Sequence, residues 1–347
     1  MENEILSRVA VEFLQHRERD YTGSSGLYRK LSGFVAADSE LLEIASFGTS
    51  PTPNLFFGAV HYLLMRSKAE TLTEYYPSLQ QPTNTGDDLF PIFRSFCLKH
   101  KEDLIEIVSS RTVQTNEVSR CAYLYPAFAV ASAIVRHVPL ALIDLGSSLG
   151  LHLLFDRYGY DYGLGNIFGD KNSSVTIESE LRGSSQAIFS DMAIKVGSRF
   201  GIELHPISAY SSDDILWLDA LIWPEHQSRR KLFHAAIDLL KQERSSFTTF
   251  DGDAAEALPG VLSKVPADEV PCVYQTHIWR QLSEARKTKI IHILESFGRD
   301  RAIIFVSALN QLRLDLYAPS GDRHWTLANY EQHGRWLEWL YHPTEYS

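Results

Sequence analysis

The sequence predicts an α/β protein: a helical N-terminal domain over residues 1–120, then, over 121–347, a doubly wound, mostly parallel seven-stranded sheet closed by an antiparallel C-terminal hairpin. Three observations carry this. Apolar residues recur at helical spacing through the first third of the chain. An apolar run, Leu140-Ala141-Leu142-Ile143, ends in Asp144, bends on Gly146 and Gly150, and hands over to a helix-like Leu151, Leu153, Leu154. Beyond it, strand-like and helix-like segments alternate, which is the order of parallel strands joined by crossover helices.

The helical spacing covers Glu2 to Gln15, Ser39 to Phe47, Leu55 to Ser67, Asp88 to His100 and Lys101 to Ser110. Turn-forming clusters at Thr22 to Gly26, Thr49 to Pro53 and Gln80 to Gly86 separate these stretches. Tyr123 to Arg136 reads as the helix that enters the sheet domain. After the first strand come Arg199 to Pro206, the segment Phe247 to Pro259 with the third strand at its start, Val270 to Thr276, Arg301 to Leu309, and the pair Leu312 to Tyr317 and Arg323 to Tyr330. A helix from Glu284 to Phe297 precedes the fifth strand. Residues 158–196 interrupt this order with Tyr/Asp/Gly turns and the alternating Ser174 to Leu181, read as a small β-excursion near the edge of the cofactor site. No internal repeat or low-complexity tract is present.

A strand ending in a carboxylate and turning on glycine toward a helix start is a cofactor-holding part, because glycine permits the bend and the first helical amides are free donors for a carboxylate or phosphate. The bend itself leaves three readings open. A dinucleotide fingerprint needs glycine at positions 146, 148 and 151, and Ser148 and Leu151 break it. Gly146-Ser147-Ser148-Leu149-Gly150 fits the nucleophile elbow of a serine hydrolase, with Ser148 as nucleophile. Asp144, Gly146 and Gly150 also match the acidic-x-Gly-x-Gly-x-Gly loop of class I S-adenosylmethionine-dependent methyltransferases, with Ser148 in place of the middle glycine.

The segments downstream of the bend resemble those of the methyltransferases. Glu203 ends the second strand, where the resemblance implies a carboxylate on the ribose hydroxyls. Asp253, two residues beyond Asp251, matches the acid that meets the adenine. The strand order resembles a Rossmann-like methyltransferase sheet. More narrowly, Gln114-Thr115-Asn116-Glu117-Val118-x-Arg120, the bend with Asp156-Arg157-Tyr158-x-Tyr160-Asp161-Tyr162-Gly163 after it, Trp223-Pro224-Glu225 and His333-Gly334-Arg335-Trp336-Leu337 resemble a bacterial domain-of-unknown-function family, number 2332, over nearly the whole chain. That family supplies no reaction of its own.

The resemblance implies S-adenosylmethionine as cofactor, held by Asp144, Gly146, Ser148, Gly150, Glu203 and Asp253, with Gln114 and Asn116 added from the polar cluster before the sheet. His277, just past the fourth strand, and Glu117 are the catalytic candidates. Arg111, Tyr123, Trp223 and Trp279 are candidates for the substrate pocket, with Tyr125 as a further aromatic. The expected activity is methyl transfer to a small molecule, with the helical domain and the excursion as a lid. The alternatives are a non-catalytic module that binds S-adenosylmethionine or a nucleoside and, behind it, a serine hydrolase using Ser148.

Composition fits a large-cored protein of cytoplasmic type: 347 residues, 44% apolar, with 33 basic against 43 acidic residues. That balance, with no basic stripe, argues against nucleic acid held through its phosphates. The acidic, helix-spaced start predicts no signal peptide, and no apolar run approaches a membrane span. Cys97, Cys121 and Cys272 are scattered and odd in number, which predicts reduced, buried thiols and no metal site.

Overall fold

The computed structural model describes residues 2–49, 51–67, 70–80, 88–114, 116–183, 194–243 and 247–342. The chain forms two compact units, Met1–Thr115 with Tyr210–Lys231, and Asn116–Ala209 with Leu232–Ser347. The boundary thus falls between residues 115 and 116 rather than after 120, and a segment from the middle of the chain joins the helical unit.

The helical unit contains Glu2–His16, Gly26–Val35, Ser39–Ser46, Thr52–Ser67, Leu89–Lys99 and Lys101–Ser110. It also holds Ser212–Ala220 and the first turn of Gln227–Gln242. Spacing predicts five of the first six. It does not predict Gly26–Val35, because Ser24-Ser25-Gly26 reads as a loop, whereas Ser25 is an N-cap whose hydroxyl accepts from the Tyr28 amide. Phe13, Phe56, Phe57 and Phe93 meet largely edge to face in the core of the unit. Glu225 fastens the later segment by accepting from the Ser25 hydroxyl and the Leu27 amide, each at 2.8 Å. The Trp223-Pro224-Glu225 motif is therefore a packing device, with Trp223 set edge-on against Tyr21.

In the sheet unit the strands are β1 (Leu140–Leu145), β2 (Gly159–Asp161), β3 (Ile167–Gly169), β4 (Thr176–Glu178), β5 (Glu180–Arg182), β6 (Val196–Glu203), β7 (Thr248–Asp251), β8 (Val270–Thr276), β9 (Ile303–Ala308), β10 (Leu312–Tyr317), β11 (Arg323–Tyr330) and β12 (Trp336–Trp339). Nine of them form one sheet in the order β5-β12-β11-β10-β9-β8-β1-β6-β7. β7, β6, β1, β8 and β9 run parallel, and β10, β11 and β12 follow as an antiparallel meander. Parallel neighbours need a long crossover between them, and the helices Gln227–Gln242, Ala254–Leu262 and Glu284–Gly298 supply it between successive strands of this core.

The expected count of seven strands is corrected to nine among the described residues. β12 and β5 are four and three residues long, below what periodicity can register, and pair with each other in parallel. β12 carries its own alternation, with Leu337 and Trp339 buried, and the Arg182 guanidinium of β5 lies over the Trp336 ring at 4.3 Å. The excursion at 158–196 is confirmed as β-structure, a small β3-β2-β4 sheet. Through β5, however, it reaches the edge of the large sheet opposite β7. Residues 184–193 of that segment lie outside the described residues.

The Asp156-Arg157-Tyr158-x-Tyr160-Asp161-Tyr162 motif has a structural use. Asp156 makes a two-point ion pair with the buried Arg199 of β6 at 2.7 and 2.8 Å. Tyr158, Tyr160 and Tyr162 are buried and donate to the carbonyls of Leu151, Phe155 and Ala122. Cys97, Cys121 and Cys272 are free and buried, as expected. No helix among the described residues is long and apolar enough to cross a membrane.

Gly334 explains the His333-Gly334-Arg335-Trp336 signature. It lies between β11 and β12 at φ +75°, and a Cβ there would run into the carbonyl of Ser119. Gly334→Ala is expected to lose about 1–3 kcal/mol, from overpacking against rigid backbone. Urea unfolding measures it, and a variant as stable as the parent would show that the turn does not press on residues 118–120.

Candidate functional site

The chain leaves β1 for β6 on one side and returns to β8 on the other, so the strand order reverses between β1 and β8. In open parallel sheets the crevice beyond the carboxyl ends of the strands at such a point is where ligands bind. Asp144 near the end of β1, Glu203 at the end of β6, Asp251 and Asp253 at and after the end of β7, and His277 just past β8 all fall on this one edge.

The bend after β1 has an unusual backbone. Gly146, Ser148 and Gly150 all have positive φ, at 76°, 49° and 75°. Glycine adopts this region freely, whereas serine there costs about 1–2 kcal/mol. Glu203 offsets that cost: its Oε2 accepts from the Ser148 amide at 2.7 Å, and its Oε1 from the His205 amide at 3.0 Å. Asn116 adds a second clamp, donating from Nδ2 to the Ser148 hydroxyl at 2.8 Å and accepting the Leu149 amide at 3.4 Å.

The amides of Gly146 and Ser147 donate to the Ile202 carbonyl, and that of Gly150 to the Ser147 carbonyl. All five amides from 146 to 150 are therefore engaged within the protein. The next segment, Leu151–Arg157, is a seven-residue 3-10 helix kinked at Leu154. Within the bend itself, no amide is left as a free donor. The sequence shows the glycines but not which acceptors lie across from each amide.

The unsatisfied polar groups are side chains. Asp144 pairs in register with Tyr274 of β8 and with Gly201 of β6. Both Asp144 oxygens, the Tyr274 hydroxyl and the Ser147 hydroxyl are buried and reach no hydrogen-bond partner at ordinary length and angle. Burial pushes the Asp144 carboxyl well above the usual range, and the Tyr274 hydroxyl and the more distant Arg120 charge pull it back in part. His152 Nε2 bonds the Glu117 carbonyl at 2.9 Å, and burial lowers this imidazole to about 4. Sequence reasoning gives Tyr274, Ser147 and His152 no role. Their only trace is a polar residue within an otherwise apolar run, Val273-Tyr274 or Leu151-His152-Leu153.

His277 has φ 85°, a left-handed conformation that a non-glycine residue keeps only where the surroundings impose it. Its Nε2 is buried without a partner. Burial, with Arg120 and Arg280 nearby, lowers its pKa to about 3. Such an imidazole is neutral and accepts a hydrogen bond, but it is a poor general base near neutral pH. Glu117 is likewise engaged: Oε1 caps the turn at Ser119, and Oε2 lies 3.5 Å from His333 Nδ1.

The other candidates divide. Asp253 is an N-cap, with Oδ1 on the Ala255 amide at 2.9 Å and Oδ2 paired with Arg286 at 2.9 Å. Trp279 packs on Phe305 at the side of the apolar core formed by the helices Ala254–Leu262 and Glu284–Gly298. Tyr123 is fully buried against Tyr330, and Tyr125 stacks on Tyr160. Arg111, Gln114 and Trp223 belong to the helical unit. There Arg111 pairs with Asp213 and Asp214 and lies over the rings of Tyr62 and Trp217. No group of three or more metal-ligating side chains occurs among the described residues.

A family model described as an uncharacterized protein conserved in bacteria, DUF2332, matches residues 11–339. No curated protein and no solved structure matches the chain.

Asp144→Asn is expected to raise stability by about 1–3 kcal/mol at pH 8, because it removes a buried carboxyl whose ionisation the Tyr274 hydroxyl offsets only in part. A carboxyl raised in the folded state holds its proton longer there than in the unfolded chain, so stability falls as pH rises through that window. The advantage of the variant therefore shrinks toward pH 4. His152 and His277 act in the opposite sense: lowered below the usual 6.5, they withdraw stability as pH falls from 6.5 toward 4 and 3. Urea midpoints across pH 4–8 read both effects, and a variant no more stable than the parent at pH 8 would mean that Asp144 is already satisfied.

Proposed function

We propose that this chain, which belongs to the DUF2332 family of bacterial proteins, is an S-adenosylmethionine-dependent methyltransferase acting on a small molecule. The observation that carries the reading is the set of carboxylates on adjacent strand ends, Asp144, Glu203 and Asp251, beside a three-fold left-handed bend at the point where the strand order reverses. The parallel core order β7-β6-β1-β8-β9 is compatible with a Rossmann-like sheet and supports the same reading.

The closed amides narrow the cofactor class. A dinucleotide needs amide donors for its pyrophosphate, and this bend has none to offer. A nucleoside without phosphate needs carboxylate acceptors instead. Asp144 lies buried beside the Tyr274 hydroxyl, and each Glu203 oxygen keeps a second lone pair for a hydroxyl donor. When bound, S-adenosylmethionine supplies a methyl group on an electrophilic sulfonium. The protein's part is to align the acceptor and exclude water. With His277 neutral and weakly basic, the acceptor is one already nucleophilic, such as a carboxylate or thiolate.

The serine hydrolase reading loses support from the same bend. Its oxyanion hole requires the amide after the nucleophile, and the Leu149 amide is turned to Asn116. A fluorophosphonate probe is expected to leave Ser148 unlabelled. Labelling lost in Ser148→Ala would restore that reading.

Calorimetric titration with S-adenosylmethionine and S-adenosylhomocysteine is the direct test, and both are expected to bind. Asp144→Ala and Glu203→Ala should each weaken binding by about 1–3 kcal/mol. Failure of both ligands to bind would remove the proposal. Binding with no methyl transfer to any carboxylate or thiol acceptor would leave a non-catalytic binding module.

A further inference from the structure

The turn between β11 and β12 carries a histidine that the cofactor reading leaves unused. β10 is antiparallel to both β9 and β11, so β11 runs in the direction of the parallel core. The turn after it therefore falls on the same sheet edge as the ends of β1 and β8. Glu331 holds the turn from within: its carbonyl accepts from the Gly334 amide at 2.8 Å and its Oε2 from the His333 amide at 3.0 Å. Arg120 ties the turn to β8, donating to the carbonyls of Gln332 and Thr276, each at 3.2 Å.

Glu117 meets this histidine from the segment that also clamps the bend, for the preceding residue, Asn116, donates to the Ser148 hydroxyl. Glu117 Oε2, on a side chain 3% exposed, lies 3.5 Å from His333 Nδ1, which is itself buried. A carboxylate facing Nδ1 draws the ring proton to that nitrogen and leaves the lone pair on Nε2. Nε2 makes no hydrogen bond among the described residues and is not sealed from solvent, and the His333 side chain is 21% exposed. His277, on the same edge, is built the other way round: its Nε2 is sealed inside the protein, and its pKa is lowered to about 3. Of the two, His333 has a carboxylate behind the ring and an accessible nitrogen in front. That arrangement takes a proton from a reacting group and steadies the imidazolium that results.

The proton's source follows from ordinary acidities. A thiol loses its proton only about two pH units above an imidazole, whereas water and the alcohols lie far higher. An imidazole backed by a carboxylate therefore turns a thiol into the thiolate before methyl transfer, and a hydroxyl resists the same step.

We propose that His333, positioned by Glu117, is the base that makes the methyl acceptor, and that the acceptor is the sulfur of a small thiol. The inference rests on the methyltransferase reading and narrows its acceptor from carboxylate or thiolate to a thiol. His333 Nε2 takes the S–H proton. The thiolate then bonds to the methyl carbon as the methyl–sulfonium bond breaks, the freed electron pair stays on the departing sulfur, and the imidazolium returns its proton to solvent.

Proton placement is read on the protein alone. Nitrogen-15 correlation spectra at pH 8.5 are expected to show the His333 proton on Nδ1, and Glu117→Gln to shift it toward Nε2. A proton on Nε2 in the parent overturns the inference.

Methyl transfer is then followed as S-adenosylhomocysteine formed at pH 7.5 with 2-mercaptoethanol, a thiol still protonated there, and with 4-nitrothiophenol, which is already thiolate. His333→Gln is expected to slow transfer to the first about a hundredfold and to the second by less than about threefold. Glu117→Gln keeps the oxygen that caps the turn at Ser119 and should slow the first about tenfold with the same small effect on the second. It replaces His333→Gln if that variant does not fold. Equal losses with both thiols indicate a structural role and overturn the inference, as does a parent-like rate with 2-mercaptoethanol. S-adenosylmethionine binding without transfer to 2-mercaptoethanol also overturns it and leaves the cofactor proposal standing, whereas absence of binding removes both.

Discussion

The carboxylate of Glu203, reaching from the end of β6 to the Ser148 amide, is the contact on which the rest of the site depends. It holds a serine in a backbone region that serine avoids, and it keeps the bend after β1 closed on itself. Asn116 adds contacts to the Ser148 hydroxyl and the Leu149 amide of the same bend. Because these contacts and nearby carbonyls use every amide from 146 to 150, the bend itself presents no anion cradle. What the crevice has left for a ligand is side-chain chemistry.

That side-chain chemistry is costly to the folded state. A carboxylate, a tyrosine hydroxyl and a serine hydroxyl lie buried without partners, and a guanidinium nearby has only neutral acceptors. His277 adds a strained backbone to the same edge. Elsewhere in the unit Arg199 is matched with Asp156, and three tyrosines each with a carbonyl, while the Tyr123 and Ser179 hydroxyls are buried without a hydrogen-bond partner. The concentration of such groups on one strand edge is what sets the crevice apart.

Spacing placed five of the first six helices, and it placed β8, β10 and β11 to the residue, because apolar periodicity is imposed locally by what each element buries. It did not place Gly26–Val35, whose cap resembles a loop, or β5 and β12, which are too short to show a period. Of the site, the bend and the two acids Asp144 and Glu203 were legible, since glycine at a strand end and a carboxylate in an apolar run are visible without neighbours. Asp253 and Trp279 share that visibility, yet one caps a helix and the other packs into the core. Their partners, Arg286 and Phe305, lie more than twenty residues away in the chain.

The sequence alone determined most of the long elements, the glycines of the bend and the acids that end the strands, because each derives from a residue's own conformational range or from the period of its neighbours. Only the tertiary structure decided which of those groups are satisfied: that Glu203 and Asn116 close the bend, that Asp253 is occupied, and that Glu117 meets His333. A hydrogen bond or an ion pair is completed by whatever the fold brings across from it. That partner is a property of two distant segments at once and is written in neither alone.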